Sequence, residues 1–238
     1  MKRIVAAVFG LLIVSPLAFG QLYLETFPYP GGGGDISITT VGWVNDVPAN
    51  PNRLYDNNAV GGPDDGAGWS WQGSANTEAF YTTTLLDAGG TGMAFPSIDP
   101  SSNPGLTLSV DLFSTFDPQF VEARFAVLSG GSWYATADPL ATPTATWESR
   151  TLLFDPTAAL WNDLTVSGDG SGTGATIGGT AAGDLSGLIT GAGLVFSRSQ
   201  SATHDFDNFA IVVPEPGSLA FLGFGALWLV RRISNKNR

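Results

Sequence analysis

The sequence predicts an all-β fold: a single antiparallel β-sandwich of jelly-roll type, with one apolar segment before it and another after it. Three observations predict it. Apolar and polar residues alternate in several short runs. Clusters of Gly, Pro, Asn and Asp separate those runs, and no helix-period stretch stands out between residues 21 and 213. The 238 residues include no Cys, and a chain of this length buries enough surface to fold without a disulfide staple.

The alternation is clearest in three places. Leu106, Leu108, Val110 and Leu112 point one way, while Thr107, Ser109 and Asp111 point the other. Val121, Ala123, Phe125 and Val127 alternate with Glu122, Arg124 and Ala126. Phe209, Ile211 and Val213 repeat the pattern at the end of the domain. Period two with one wet face means half-buried antiparallel strands. Further strands are expected at 36–41, 79–85, 132–136, 146–153, 160–166 and 193–197. The long connections are 42–78 and 167–192. Both are Gly-rich loops, and loops of that length are places for binding residues.

The two ends read as addresses rather than fold. Lys2 and Arg3 precede the apolar run Ile4 to Val14, and Ala18-Phe19-Gly20 offers small residues at 18 and 20. This is a secretory signal over residues 1–20, with signal peptidase cutting before Gln21. At the other end, Val213-Pro214-Glu215-Pro216 precedes an apolar segment, Gly217 to Val230, followed by Arg231, Arg232, Lys236 and Arg238. Those 14 apolar residues span about 21 Å as a helix, short of a hydrocarbon core of about 30 Å. Basic residues beyond the span would hold the C-terminus in the cytoplasm.

The order of Pro-Glu-Pro, short span and Arg-Arg tail closely resembles the PEP-CTERM sorting signal of Gram-negative bacteria. The resemblance covers residues 213–238. It implies recognition by an exosortase, a transient inner-membrane anchor, cleavage near Pro214-Glu215-Pro216 and a producer that makes extracellular polysaccharide. The domain is therefore expected at 21–212. Its destination is expected to be the outer envelope, or a biofilm matrix outside the cell.

Composition removes whole classes of chemistry. The exported stretch 21–213 keeps Arg53, Arg124, Arg150 and Arg198, no Lys, and 20 acidic residues, a net charge of −16. Such a chain repels phosphate backbones and anionic headgroups, so nucleic acid is excluded as a partner. Without Cys there is no zinc-thiolate site, iron–sulfur cluster or Cys nucleophile. The one imidazole, His204, is read as a surface residue at a strand start. A triad through it fails, because the adjacent Asp205 points to the other face and no G-x-S-x-G elbow is present. A glycosidase needs two carboxyls about 5–9 Å apart. No such pair is evident, and Glu122 with Arg124 reads as a surface ion pair. No catalytic residues are assigned.

Two binding chemistries remain. Trp69 and Trp71 lie on one face of an extended segment, preceded by Arg53 and Tyr55, and exposed aromatics beside polar hydrogen-bonders suit sugar rings. Trp43, Trp133, Trp147 and Trp161 sit in strand-like runs and are assigned to the core. Asp205 and Asp207, at i and i+2, present oxygens of the kind calcium takes. The opening Leu24-Glu25-Thr26-Phe27 and the ending Phe206-Asp207-Asn208-Phe209-Ala210-Ile211 resemble the first and last strands of galactose-binding-like and carbohydrate-binding modules. That resemblance implies that the terminal strands pair and that Glu25 and Asp207 ligate a structural calcium. The alternative is that Asp207 and Asn208 make local capping bonds. The expected function is non-enzymatic: an exported envelope or matrix protein that binds extracellular polysaccharide. The alternatives are a structural or adhesive matrix component without a discrete ligand and, more remotely, a polysaccharide hydrolase or lyase.

Overall fold

A computed structural model describes residues 19–28, 36–46, 52–55, 66–72, 76–84, 95–114, 121–141, 145–166, 174–199 and 202–214. The expected signal segment as far as residue 18, and Glu215, Pro216 and the apolar segment and basic tail with Arg231 and Arg232, lie outside them. Among the described residues no helix is long and apolar enough to cross a membrane.

Among the described residues fourteen strands form, with short 3-10 segments at Ile38–Val41, Pro100–Ser102 and Ala158–Leu160. They are β1 (Phe19–Glu25), β2 (Ile36–Ser37), β3 (Val44–Asn45), β4 (Asn52–Tyr55), β5 (Ala67–Gln72), β6 (Asn76–Thr83), β7 (Thr107–Ser114), β8 (Val121–Ser129), β9 (Ser132–Thr136), β10 (Glu148–Leu153), β11 (Trp161–Thr165), β12 (Thr176–Thr180), β13 (Ile189–Arg198) and β14 (Ala202–Pro214). The first sheet runs β10-β7-β14-β5-β4-β2, with β1 also on β14; the second runs β12-β11-β9-β8-β13-β6-β3. The strand pairs with described registers are antiparallel. The first and last strands do pair. A strand has two edges, and β7 follows one edge of β14 as far as Val212. On the other, β5 pairs only Ala202–Phe206, which leaves the remainder to β1.

One core lies between the sheets. It takes Leu106, Leu108, Val110 and Leu112 from β7 and its approach, and Ala123, Phe125 and Val127 from β8. These are the faces that alternation selected. Phe206 and Phe209 of β14 are the hub. Phe206 meets Phe27, Trp43, Phe80 and Phe196 at centroid distances of 4.8–6.5 Å. Phe209 meets Tyr23, Trp43 and Phe125 at 5.1–6.3 Å. Residues three apart in a plain strand face opposite ways. Here β14 advances three residues, Asp207 to Ala210, while β7 moves two, Asp111 to Ser109. That bulge, with Asn208 at φ +49°, turns both rings inward.

The structure corrects three expectations about the strands and their faces. The stretch 42–78 holds β3, β4, β5 and the start of β6, and 167–192 holds β12 and the start of β13. Gly and polar side chains hid them, since they carry little alternation. Strand 36–41 shrinks to two residues and a 3-10 turn, where the Ser37 hydroxyl caps Thr39 N–H and Gly42 closes at φ +77°. The outer face of the second sheet is not wet. Ala79, Tyr81, Ala126, Ala135, Leu164, Ala175 and Val195 form a second buried cluster there, with Trp133 packed on Tyr81 at 4.9 Å.

Asn208 sets up a direct check. Asn tolerates the left-handed region and a β-branched residue does not. Asn208→Gly should keep the fold with little loss. Asn208→Val should cost roughly 1–3 kcal/mol in a urea titration. Equal midpoints for the two variants would remove the bulge from this account.

Candidate functional site: the outer face of the first sheet

The face of the first sheet that looks away from the core is built by register. Core positions on β7 and β14 are even-numbered up to the bulge, so Asp111, Phe113, Asp205 and Asp207 share the opposite face. Asp205 stands opposite Phe113 on one side and Trp69 on the other. Thr203 stands opposite Trp71. On the next strand Leu54 pairs Gly68 and Tyr55 pairs Ala67. Gly68 fixes the phase of β5, because a Cβ there would lie 2.2 Å from the Phe206 ring, on the core side. Positions 53, 55, 69 and 71 therefore alternate onto the same outer face as Asp205. The structure brings these four strand positions together; their side chains lie outside the described residues.

Beside them the described part of the face is aromatic and polar. The indole of Trp147, just before β10, packs on Phe113 with centroids 5.5 Å apart. Trp147 is half-buried rather than core, which corrects its sequence assignment. Position 147 continues the outer phase of edge strand β10, since Glu148 pairs core-facing Leu112 and Ser149 pairs Asp111. Among the described residues its buried indole N–H has no hydrogen-bond partner. Trp43 and Trp161 are core as expected, and Trp133 is partly buried in the second cluster. Asn208 Nδ2 donates to Asp111 Oδ2 at 3.0 Å, and the Ser149 hydroxyl donates to Asp111 Oδ1. Asp207 Oδ1 accepts from the Asn208 backbone N–H at 2.7 Å, a local bond inside the bulge.

No family model matches this chain, and no curated protein matches it. Among solved structures it is similar to the C-terminal family 22 carbohydrate-binding module of Clostridium thermocellum Xyn10B, at TM-score 0.40 and 14% identity over 84% of this chain and 98% of that one. It is similar to the CBM22-1 xylan-binding domain of Paenibacillus barcinonensis Xyn10C at TM-score 0.40 and 9% identity, with the same coverage of 84% and 98%. An exo-β-agarase matches over 71% of this chain and 24% of its own, at TM-score 0.39 and 12% identity. At TM-scores of 0.39–0.40 these likenesses decide neither family nor ligand.

The residues expected to ligate calcium are placed as follows. Glu25 lies on the same side of β1 as Tyr23, a core residue, whereas Asp205 and Asp207 alternate with Phe206 and take the other face. Among the described residues no group of three His, Asp or Glu side chains is arranged to hold a metal. Glu25 Oε1 accepts from Phe27 N–H at 2.9 Å, two residues on. Burial pushes its carboxyl up to about 7, against the lowering by the backbone N–H groups of Phe27 and Thr26.

His204 is not on the surface. It faces the core, fully buried and stacked on Phe196 at 5.3 Å, because β14 begins at Ala202 and puts position 204 in phase with Phe206. Burial first, and the nearby Arg198 charge second, lower its pKa to about 3. Neither imidazole nitrogen has a hydrogen-bond partner among the described residues. At the same end of the core, Arg198 Nη2 reaches Glu78 Oε2 at 3.0 Å with both side chains buried. Glu122 and Arg124 form the expected ion pair at 2.7 Å, but Arg124 is buried rather than on the surface.

Glu25 yields a signed pH prediction. Its folded pKa is raised, so its stabilising contribution is complete below about pH 4.5 and is lost as pH rises through about 7. That loss is about 3 kcal/mol by pH 8, at 1.36 kcal/mol per unit. Glu25→Gln keeps the acceptor and cannot ionise. Its melting temperature should rise relative to the unsubstituted chain between pH 4 and pH 8. A difference that stays constant across that range would show that Glu25 is not held protonated.

Proposed function

We propose that this chain is an exported, non-enzymatic protein of the outer envelope or extracellular matrix, and that it binds extracellular polysaccharide on the outer face of the first sheet. The observation that carries this is the register of β4, β5 and β14. It gathers positions 53, 55, 69 and 71, which are 18 residues apart at the extremes, onto one face beside Asp205. Aromatic rings offer sugar C–H faces a flat apolar surface, and the Asp111–Asn208–Ser149 group beside Trp147 supplies hydrogen-bonding atoms. Hydrolysis needs a carboxyl with a raised pKa at the site. Glu25, which has one, sits on the core side of its strand.

The export reading rests on the sequence of the two ends. Signal peptidase and an exosortase are the proposed processing partners. The last core residues, Phe209 and Ile211, precede Pro214, the final residue of β14. A cut near Pro214-Glu215-Pro216 would spare the sandwich and remove the cationic tail. The competing reading, a matrix component without a discrete ligand, draws on the low exposure of Phe113 and Asp205, at 7% and 3%.

Trp69→Ala and Trp71→Ala should each reduce retention on the producer's own exopolysaccharide at least tenfold in affinity electrophoresis, with circular dichroism unchanged. Full retention by both variants would favour the competing reading. In a host that has an exosortase, intact-mass analysis should find the product without Arg231, Arg232 and Arg238. A mature product that still ends in Arg238 would refute the sorting assignment.

A further inference from the structure

The opposite end of the sandwich carries a cleft of about 550 Å3, away from the face just described. Its lining comes from three segments: the turn before β7, the residues after β10 and the approach to β13. Trp71 and Gln72 pair Thr203 and Ala202, near Ser114 at the far end of β7, so face and cleft are separate. The volume falls within the ~300–1,000 Å3 of small-molecule sites.

The walls are pre-set by hydrogen bonds. Asp99 Oδ1 accepts from the Ser101 N–H at 2.9 Å and the Ser101 hydroxyl at 2.7 Å. Asp99 Oδ2 accepts from the Ser102 hydroxyl at 2.7 Å, and Asn103 Nδ2 donates to the Asp99 carbonyl at 2.7 Å. Across the cleft, the Leu185 N–H donates to Pro156 O at 2.8 Å, and the Phe154 N–H to Leu106 O at 2.8 Å. The same short pattern, Asp-Pro followed by a hydroxyl residue, recurs at Asp155, which accepts from the Thr157 N–H at 2.9 Å and its hydroxyl at 2.6 Å. Little ordering entropy is left for a ligand to supply.

The chemistry of the lining selects the ligand class. Pro100, Pro104, Phe154, Pro156 and Leu188 give ring and methyl surfaces suited to C–H faces. Leu188 is 47% exposed at the rim. Among the described residues no Lys, Arg or His lines the cleft, and Asp99 is the one ionisable residue lining it. The hydroxyl and amide donors around Asp99 hold its carboxyl below the usual range. A phosphate, sulfate or uronate group would find no positive partner and one fixed negative charge. The hydroxyls of Ser101 and Ser102 are spent on Asp99, and one Asn103 N–H is spent on its carbonyl. Oxygen acceptors remain in excess, among them Asn103 Oδ1 and the Ser hydroxyl lone pairs. A peptide's carbonyls would compete for few donors. Sugar hydroxyls donate as readily as they accept.

We infer that this end cleft is a second glycan site, selective for uncharged oligosaccharide. The inference rests on the polysaccharide-binding reading and adds to it a place and a charge class.

The test uses the full chain with uncharged xylohexaose and cellohexaose, and with a galacturonate hexamer as the charged probe. In amide-resolved spectra an uncharged hexamer should shift Asn103, Phe154 and Leu188, and the galacturonate should not. Leu188→Ser and Asn103→Ala change rim groups without touching the core. Each should weaken the uncharged hexamer at the cleft at least fivefold by calorimetry, with the melting temperature within a few degrees of the unsubstituted chain. Binding elsewhere with no shift at these residues, and no effect of either variant, would overturn the cleft and leave the polysaccharide reading standing. Absence of binding to the uncharged hexamers and to the producer's exopolysaccharide alike would overturn both. Preference of the cleft for galacturonate would overturn the charge class.

Discussion

The fold depends on one extra residue in β14. The bulge at Asn208 lets Phe206 and Phe209 enter the same core, where a regular strand would send one of them outward. Seven aromatic contacts follow from that single irregularity. The same residue ties the core to the surface. Its backbone bends the strand, its side chain bonds Asp111, and Asp207 caps its N–H on the outer face. The feature that fills the interior therefore also shapes the proposed glycan surface.

The polar groups inside the sandwich impose a second constraint. Glu78 and Arg198 are buried as a pair, and His204 is held neutral beside Phe196. Burial penalises the charged forms of Glu25 and His204, and pushes their pKa values in opposite directions. A raised carboxyl and a lowered imidazole often mark catalysis. Here both lie on core faces rather than in a cleft, and desolvation is the largest cause of each shift, with the Arg198 charge adding to it at His204. Breaking a buried ion pair is costly because one charge is left uncompensated. Such a pair serves better as a fixed feature of the interior than as a reactive group.

How much of this was legible follows from how each residue acts. Leu106, Leu108, Val110 and Leu112 announced their strand because they alternate with polar neighbours and face one core. The strand at 67–72 did not, because Gly68 stands at a core-facing position where Phe206 leaves no room for a side chain. The face built from β4, β5 and β14 was half legible. Trp69 and Trp71 stood out as a pair, but Trp147 did not, since an aromatic beside a strand reads as core until its neighbours are known. The end cleft gave only a weak signal, the repeated Asp-Pro-hydroxyl turns at Asp99 and Asp155, whose lining segments are distant in sequence.

The sequence by itself determined the all-β class, the faces of the regular strands, the acidic net charge, and the pattern at both ends. Each is a local property, written in period, composition or contiguous motif. Tertiary structure alone decided that His204 is interior, that both faces of the second sheet are covered, and which loops meet to form the cleft. Those outcomes depend on which strands become neighbours. Strand neighbours here join residues more than 100 positions apart, as Glu78 and Arg198 are, and no local pattern records that choice.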